Sequence, residues 1–214
     1  MLEDFLKYQA KTTPNPLGLE IEYARGSFIY DVRGKSYLDF IAGVSALPLG
    51  HSNPKVVKAL KCQIEKYMHV MVYGEFAQAP SVALCKKLVD ILPSNQEVVY
   101  LTNSGTEAIE GALKLAKRVT QKFGLIAAHR SYHGSTHGAL SLLGYEKQKK
   151  GYRPLLPGVR FLEFNQEKDL NMIDENTAAV LLETIQGGAG FIMPENDYMK
   201  KVKKKCDSVG ALLI

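Results

Sequence analysis

The sequence has no long uncharged apolar run. None of its stretches approaches the roughly 20 residues that span a bilayer, so no membrane partner is expected in the 214 residues. It opens Met1-Leu2-Glu3-Asp4, with acids where a secretory leader carries basic residues, and a cytoplasmic protein is expected. Only three cysteines occur, Cys62, Cys85 and Cys206, each alone inside a helical pattern. That excludes a disulfide framework and a Cys-x-x-Cys metal knuckle, and buried or half-buried thiols are expected. Neither a Gly-x-Gly-x-x-Gly turn nor a Gly-Lys-Ser/Thr ending is present. The net charge of +5 rests largely on lysines, clustered at Lys147, Lys149 and Lys150 and again from Lys200 to Lys205. Without aromatic or arginine interleaving such runs read as solvated helix faces, and no nucleic-acid partner is expected. With 46% hydrophobic and 23% charged residues, the chain has the make-up of a globular protein with one large domain, or one and a piece.

What is present is organised around residues 97–123. A short apolar run, Glu97-Val98-Val99-Tyr100-Leu101, reads as a strand, and Thr102-Asn103-Ser104-Gly105-Thr106-Glu107 follows as a turn. Ile109, Ala112, Leu113, Ala116 and Val119 then recur at helical spacing, with a stop expected at Phe123-Gly124. The helix begins near Thr106. Its first N–H groups lack intrahelical partners and its dipole adds positive potential, so a phosphate would fit the turn. The same residues also read as an ordinary helix start capped by Ser104 or Thr106.

Ahead of this stretch, Leu2 to Lys11 reads as an amphipathic arm. Ile21 to Arg25, Ser27 to Asp31 and Ser36 to Phe40 form an antiparallel meander, and Ile41 to Ala46 reads as loop. A boundary near His51 divides residues 1–50, an arm and small-domain segment, from a larger α/β region at 51–214. Pro54 opens one helix, capped by Ser52 or Asn53, and a second runs from Pro80 to Ile91. Beyond the central helix, strands are expected at Leu125 to Ala128, Val159 to Phe164 and Ala178 to Glu183, and near Ile214. A helix from Asn196 to Cys206 lies between the last two. Strands alternating with helices predict a mostly parallel sheet covered on both faces, with ligands beyond the strands' carboxyl ends.

The loops after Leu101, Ala128 and Leu182 should therefore converge. They offer an anion cradle at Ser104-Gly105-Thr106, an aromatic plane beside an imidazole at Tyr132-His133-Gly134, and a carboxylate with an amide from Glu183 to Gly190. A flat, phosphorylated heteroaromatic ligand would use all three. Taken singly, Tyr132 reads equally as a packed aromatic, His133 as a satisfied loop histidine and Glu183 as a strand terminus. His133 and His137 have helical ligand spacing without a third donor, so no metal is expected.

Ordered along the chain, Tyr37-Leu38-Asp39-Phe40 with Leu49-Gly50-His51-Ser52-Asn53-Pro54, Asn103 to Glu110, Tyr132-His133-Gly134 and Glu183-Thr184-Ile185-Gln186-Gly187 resemble the N-terminal half of the class III aminotransferases. The resemblance implies the aspartate aminotransferase fold, fold type I, with residues 51–214 an incomplete large cofactor-binding α/β domain. It implies pyridoxal 5'-phosphate held at Ser104, Gly105 and Thr106, with Tyr132 stacked on the ring and Glu183 close by. It also implies transfer of an amino group from an amino acid to a 2-oxo acid, in a homodimer whose interface lies near Tyr73 to Gln78.

Where ornithine- and 4-aminobutyrate-type members carry a second glutamate, this sequence has Gly188, which leaves the substrate open. The family's ring-nitrogen aspartate and Schiff-base lysine fall beyond Ile214, so the 214 residues are expected to form an inactive fragment. The alternatives are an aminomutase of the same family, a nucleotide-binding Rossmann-type domain, or a non-catalytic truncation product. Against the Rossmann reading, Ala128-His129 stands where an acid should end the second strand.

Overall fold

The structure is a computed structural model that describes residues 1–71 and 74–214. Tyr73, where the expected interface segment begins, lies outside the described residues. The chain forms two compact units, Met1–Leu84 and Cys85–Ile214.

The first unit starts with α1 (Leu2–Tyr8) and a three-stranded antiparallel sheet, β1 (Ile21–Arg25), β2 (Phe28–Asp31) and β3 (Ser36–Leu38), in that order. Gly26 and Gly34 take positive φ at the two hairpin turns, as the meander requires. Residues expected to be loop make a single turn, α2 (Ala42–Ser45), with left-handed backbone at all four positions. Asp39 holds its entry, one oxygen accepting from the Ile41 and Ala42 N–H groups and the other 2.7 Å from His51 Nε2. α3 (Pro54–Ile64) is capped by Asn53, whose side chain accepts from Lys55 N–H. The boundary of the units falls inside α4 (Ala79–Ile91).

The second unit is built on α5 (Gly105–Thr120), β4 (Gly124–Ala128), α6 (His137–Ser141), α7 (Glu146–Lys149), β5 (Val159–Leu162), β6 (Thr177–Val180), α8 (Tyr198–Val209) and β7 (Leu212–Leu213). Its four strands are parallel and ordered β5-β4-β6-β7. Because side chains alternate across a strand, Leu125 and Ala127 join Leu113 and Ala116 of α5 in one core cluster. Ile126 and Ala128 join Tyr198, Val202 and Cys206 of α8 in the other. The expected α/β sheet covered on both faces is present. Among the described residues no helix is long and apolar enough to cross a membrane.

Several expectations need correction. Glu97 to Leu101 is not a strand, because an extended segment becomes one only by pairing its backbone, and no described residue pairs with it. The central helix stops earlier than expected, at a left-handed Gln121, and Gly124 instead begins β4. Val119 at its end is exposed while Ala116 is buried. The strand expected to reach Glu183 ends at Val180. Cys62 is exposed rather than half-buried. Lys149 is buried, not solvated. Its ammonium donates to Leu143 O at 2.8 Å and lies 3.9 Å from the Phe161 ring centre, which gives the charge partners in the interior.

Candidate functional site

The site grows from the N-terminus of α5. Ser104 is extended and its Oγ accepts from the Glu107 N–H at 3.3 Å, while the Glu107 carboxylate reaches back to the Asn103 N–H at 2.8 Å. This is a capping arrangement. It satisfies part of the first turn and leaves the Gly105 and Thr106 N–H groups with no intrahelical acceptor. A Cβ added at Gly105 would meet nothing within 4 Å, so the backbone there borders open space.

A cleft of about 560 Å³ lies against this turn, lined by Gly105, Thr106, Ile109, Tyr132, His133, Gly134 and Ser135. The loop after β4 thus comes to the helix start. Gly134 permits the approach: its φ is 135°, and a side chain there would overlap the Thr106 side chain, 2.3 Å from Oγ1. Tyr132 is half exposed, with its hydroxyl 3.2 Å from Ser135 Oγ. Burial pushes the His133 imidazole down to about 4, so the ring is neutral near pH 7. Its Nε2 is buried without a hydrogen-bond partner.

Of the sequence-predicted residues, the structure gathers Gly105, Thr106 and Tyr132 at one cleft. Ser104 is adjacent as the cap. Glu183 does not line the cleft. Its carboxylate accepts from the Tyr132 N–H and the Gly187 N–H, both at 3.2 Å, so it ties the second loop to the third. Gln186, fully buried, donates from Nε2 to His129 O at 3.0 Å and does the same. His133 and His137 do not share a helix, since α6 begins at His137, whose Nε2 lies 3.0 Å from Pro154 O. Among the described residues no cluster of three or more His, Cys, Asp or Glu could hold a metal ion.

Glu110 carries no role in the sequence motif, yet the structure gives it one. It lies one turn beyond Thr106, on the same helix face. Its Oε1 accepts from Thr136 Oγ1 at 2.5 Å, Gly138 N at 2.8 Å and Ala139 N at 3.0 Å. Burial pushes its carboxyl up, but these donors, with His137 nearby, outweigh it and hold it below the ordinary carboxylate value. Gly138 has no room for a side chain, since a Cβ would stand 2.2 Å from the Glu110 carboxylate. The i,i+4 spacing of Thr106 and Glu110 was the available signal, but it names no partner.

A family model for the class-III aminotransferases matches residues 8–214, and the chain belongs to that family. It is 38% identical over 195 residues to an acetylornithine aminotransferase of Archaeoglobus fulgidus, an alignment covering 91% of this chain and 51% of that protein. The ornithine aminotransferase of Toxoplasma gondii superposes with a TM-score of 0.87 at 28% identity, over 100% of this chain and 52% of the other. A taurine:2-oxoglutarate aminotransferase of Bifidobacterium kashiwanohense, solved with PLP and glutamate, gives 0.84 at 29% identity, over 98% and 53%. The chain spans about half the length of the curated relatives it matches.

Proposed function

We propose that this chain supplies the phosphate-holding and ring-stacking part of a pyridoxal-phosphate-dependent aminotransferase, which passes an amino group from an amino acid to a 2-oxo acid. The observation that carries the reading is the meeting of the uncommitted Gly105 and Thr106 N–H groups with Tyr132 across one cleft. A dianionic phosphate gains from N–H donors at the start of a sixteen-residue helix. The open space at Gly105 and the unpartnered His133 nitrogen on the cleft wall both fit a ligand of this kind.

On this reading Gly105 and Thr106 hold the phosphate, with Ser104 fixing the turn. Tyr132 covers the ring face, and Glu183 holds the Tyr132 backbone N–H. The chemistry that bound pyridoxal phosphate supplies is electron withdrawal from the amino acid's α-carbon. That a solved relative holds PLP and glutamate supports the choice of cofactor. We place the whole protein in the cytoplasm as a homodimer, with residues 1–50 its arm and small-domain segment.

The test is cofactor binding by the full-length protein, followed by absorbance and competed with inorganic phosphate. Gly105→Trp, which fills the space beside the turn, should lower affinity at least about tenfold. Wild-type affinity in that variant, or no competition by phosphate, would place the phosphate elsewhere.

A further inference from the structure

The hydroxyl protons between α5 and the Tyr132 loop can be assigned one by one. Glu110 is held ionised by its three donors, so it accepts only. Thr136 Oγ1, 2.5 Å from Glu110 Oε1, must give its single proton to that oxygen. Thr136 Oγ1 also lies 2.6 Å from Thr106 Oγ1. With the Thr136 proton spent, the donor in that second bond is Thr106. The Thr136 N–H in turn donates to Thr106 Oγ1 at 3.3 Å. The order is Thr106 to Thr136 to Glu110, and the Thr106 hydroxyl, with its single proton committed, has none left to donate to a ligand.

Two consequences follow. The Thr106 hydroxyl is engaged, so a phosphate at this turn meets the Thr106 backbone N–H rather than its side chain. And the same relay, with the Gly138 and Ala139 N–H groups on Glu110, pins the C-terminal end of the loop that carries Tyr132 and His133. Glu183 pins the other end at Tyr132 N.

We propose that Glu110 is a positioning residue for this cleft: acting through Thr136 and Thr106, it sets the spacing between the anion-binding turn and the ring-covering loop. The inference rests on the reading of the cleft as a pyridoxal-phosphate site. A ligand that touches only the turn should be indifferent to Glu110, whereas one that must reach both turn and loop should depend on it. Inorganic phosphate is the first kind and pyridoxal phosphate the second.

The experiment therefore compares the two on the full-length protein. Pyridoxal phosphate is titrated by absorbance and by the circular dichroism induced in its visible band, and inorganic phosphate is used as competitor. Glu110→Gln and Thr136→Val should each weaken pyridoxal-phosphate binding about tenfold, the scale of a lost charge-assisted hydrogen bond. Both should reduce the induced dichroism and leave the phosphate inhibition constant unchanged. Thr136→Ser, which keeps the hydroxyl, should restore the wild-type values. Wild-type affinity and dichroism in both Glu110→Gln and Thr136→Val would overturn the inference while leaving the site reading intact. Equal losses for phosphate and pyridoxal phosphate would also overturn it, by showing a general loss of structure. If the wild-type protein bound no pyridoxal phosphate in competition with phosphate, the site reading itself would fall, and this inference with it.

Discussion

Two apolar stretches flank α5, and their fates differ. Residues 97–101 precede the helix with Val98 89% and Tyr100 85% exposed, and no described backbone group pairs with them. Residues 124–128 follow the helix, are buried throughout and pair in parallel on both sides. By residue type 97–101 is the more strand-like of the two, so the difference lies in neighbours. A strand exists where adjacent strands take up its N–H and C=O groups and where helices cover its faces. For the site, this means that the turn at 102–106 is fixed from the helix side, by Ser104 and Glu107, and from the β4 loop through Thr106.

The contrast is broken most severely at Leu125. It is fully buried in the cluster shared with α5. Truncation to Ala should cost about 2–5 kcal/mol, the range for a buried leucine. Urea denaturation measures this directly, since a change in midpoint at constant slope reports stability. A cost below about 1 kcal/mol would mean that β4 is not part of a close-packed core.

The second effect sharpens the comparison at the β4 end, where burial extends out of the sheet into the cleft wall. His133 titrates near 6.5 in an unfolded chain and at about 4 in the folded one. Between those values the unfolded state binds more protons, so stability rises with pH across that window and is flat with respect to this group above it. The contribution lost on going from above pH 6.5 to below pH 4 is at most about 3 kcal/mol. His133→Phe should flatten the limb between pH 4 and 6.5, as read from urea midpoints at a series of pH values. An unaltered limb would mean that the ring is solvated.

Much of this contrast was legible in the sequence, and the parts that were not have a common cause. The stripe through Ile109, Leu113 and Ala116 gave the helix and its buried face, residue type offered Ser104 or Thr106 as its cap, and strand-helix alternation brought the loop after β4, though not Glu183, to the cleft. The Glu110 relay was hidden because its partners lie 26 to 29 residues away, in a loop whose path depends on Gly134 and Gly138. Lys149 was hidden for a related reason. A run of lysines does not say which of them turns inward, and only the placement of Leu143 O and the Phe161 ring decides it. The 97–101 stretch failed in the opposite direction. Its residue types favour a strand, but propensity describes fitness for a paired, half-buried surface, not the presence of one.

The smallest effect tests that last point. In residues 1–214, Val98 and Tyr100 keep nearly all of their surface in solvent. Replacing either by Ser removes little that folding had covered, so the transfer gain that makes Leu125 costly to truncate is absent. Each change should alter stability by no more than about 0.5 kcal/mol, as for surface positions without a special feature. Measured by the same urea titration as Leu125→Ala, the two sets of values should differ several-fold although both stretches are apolar. A cost at Val98 approaching that at Leu125 would mean that the stretch is covered in the 214-residue chain after all, and that the contrast between the two sides of α5 is false.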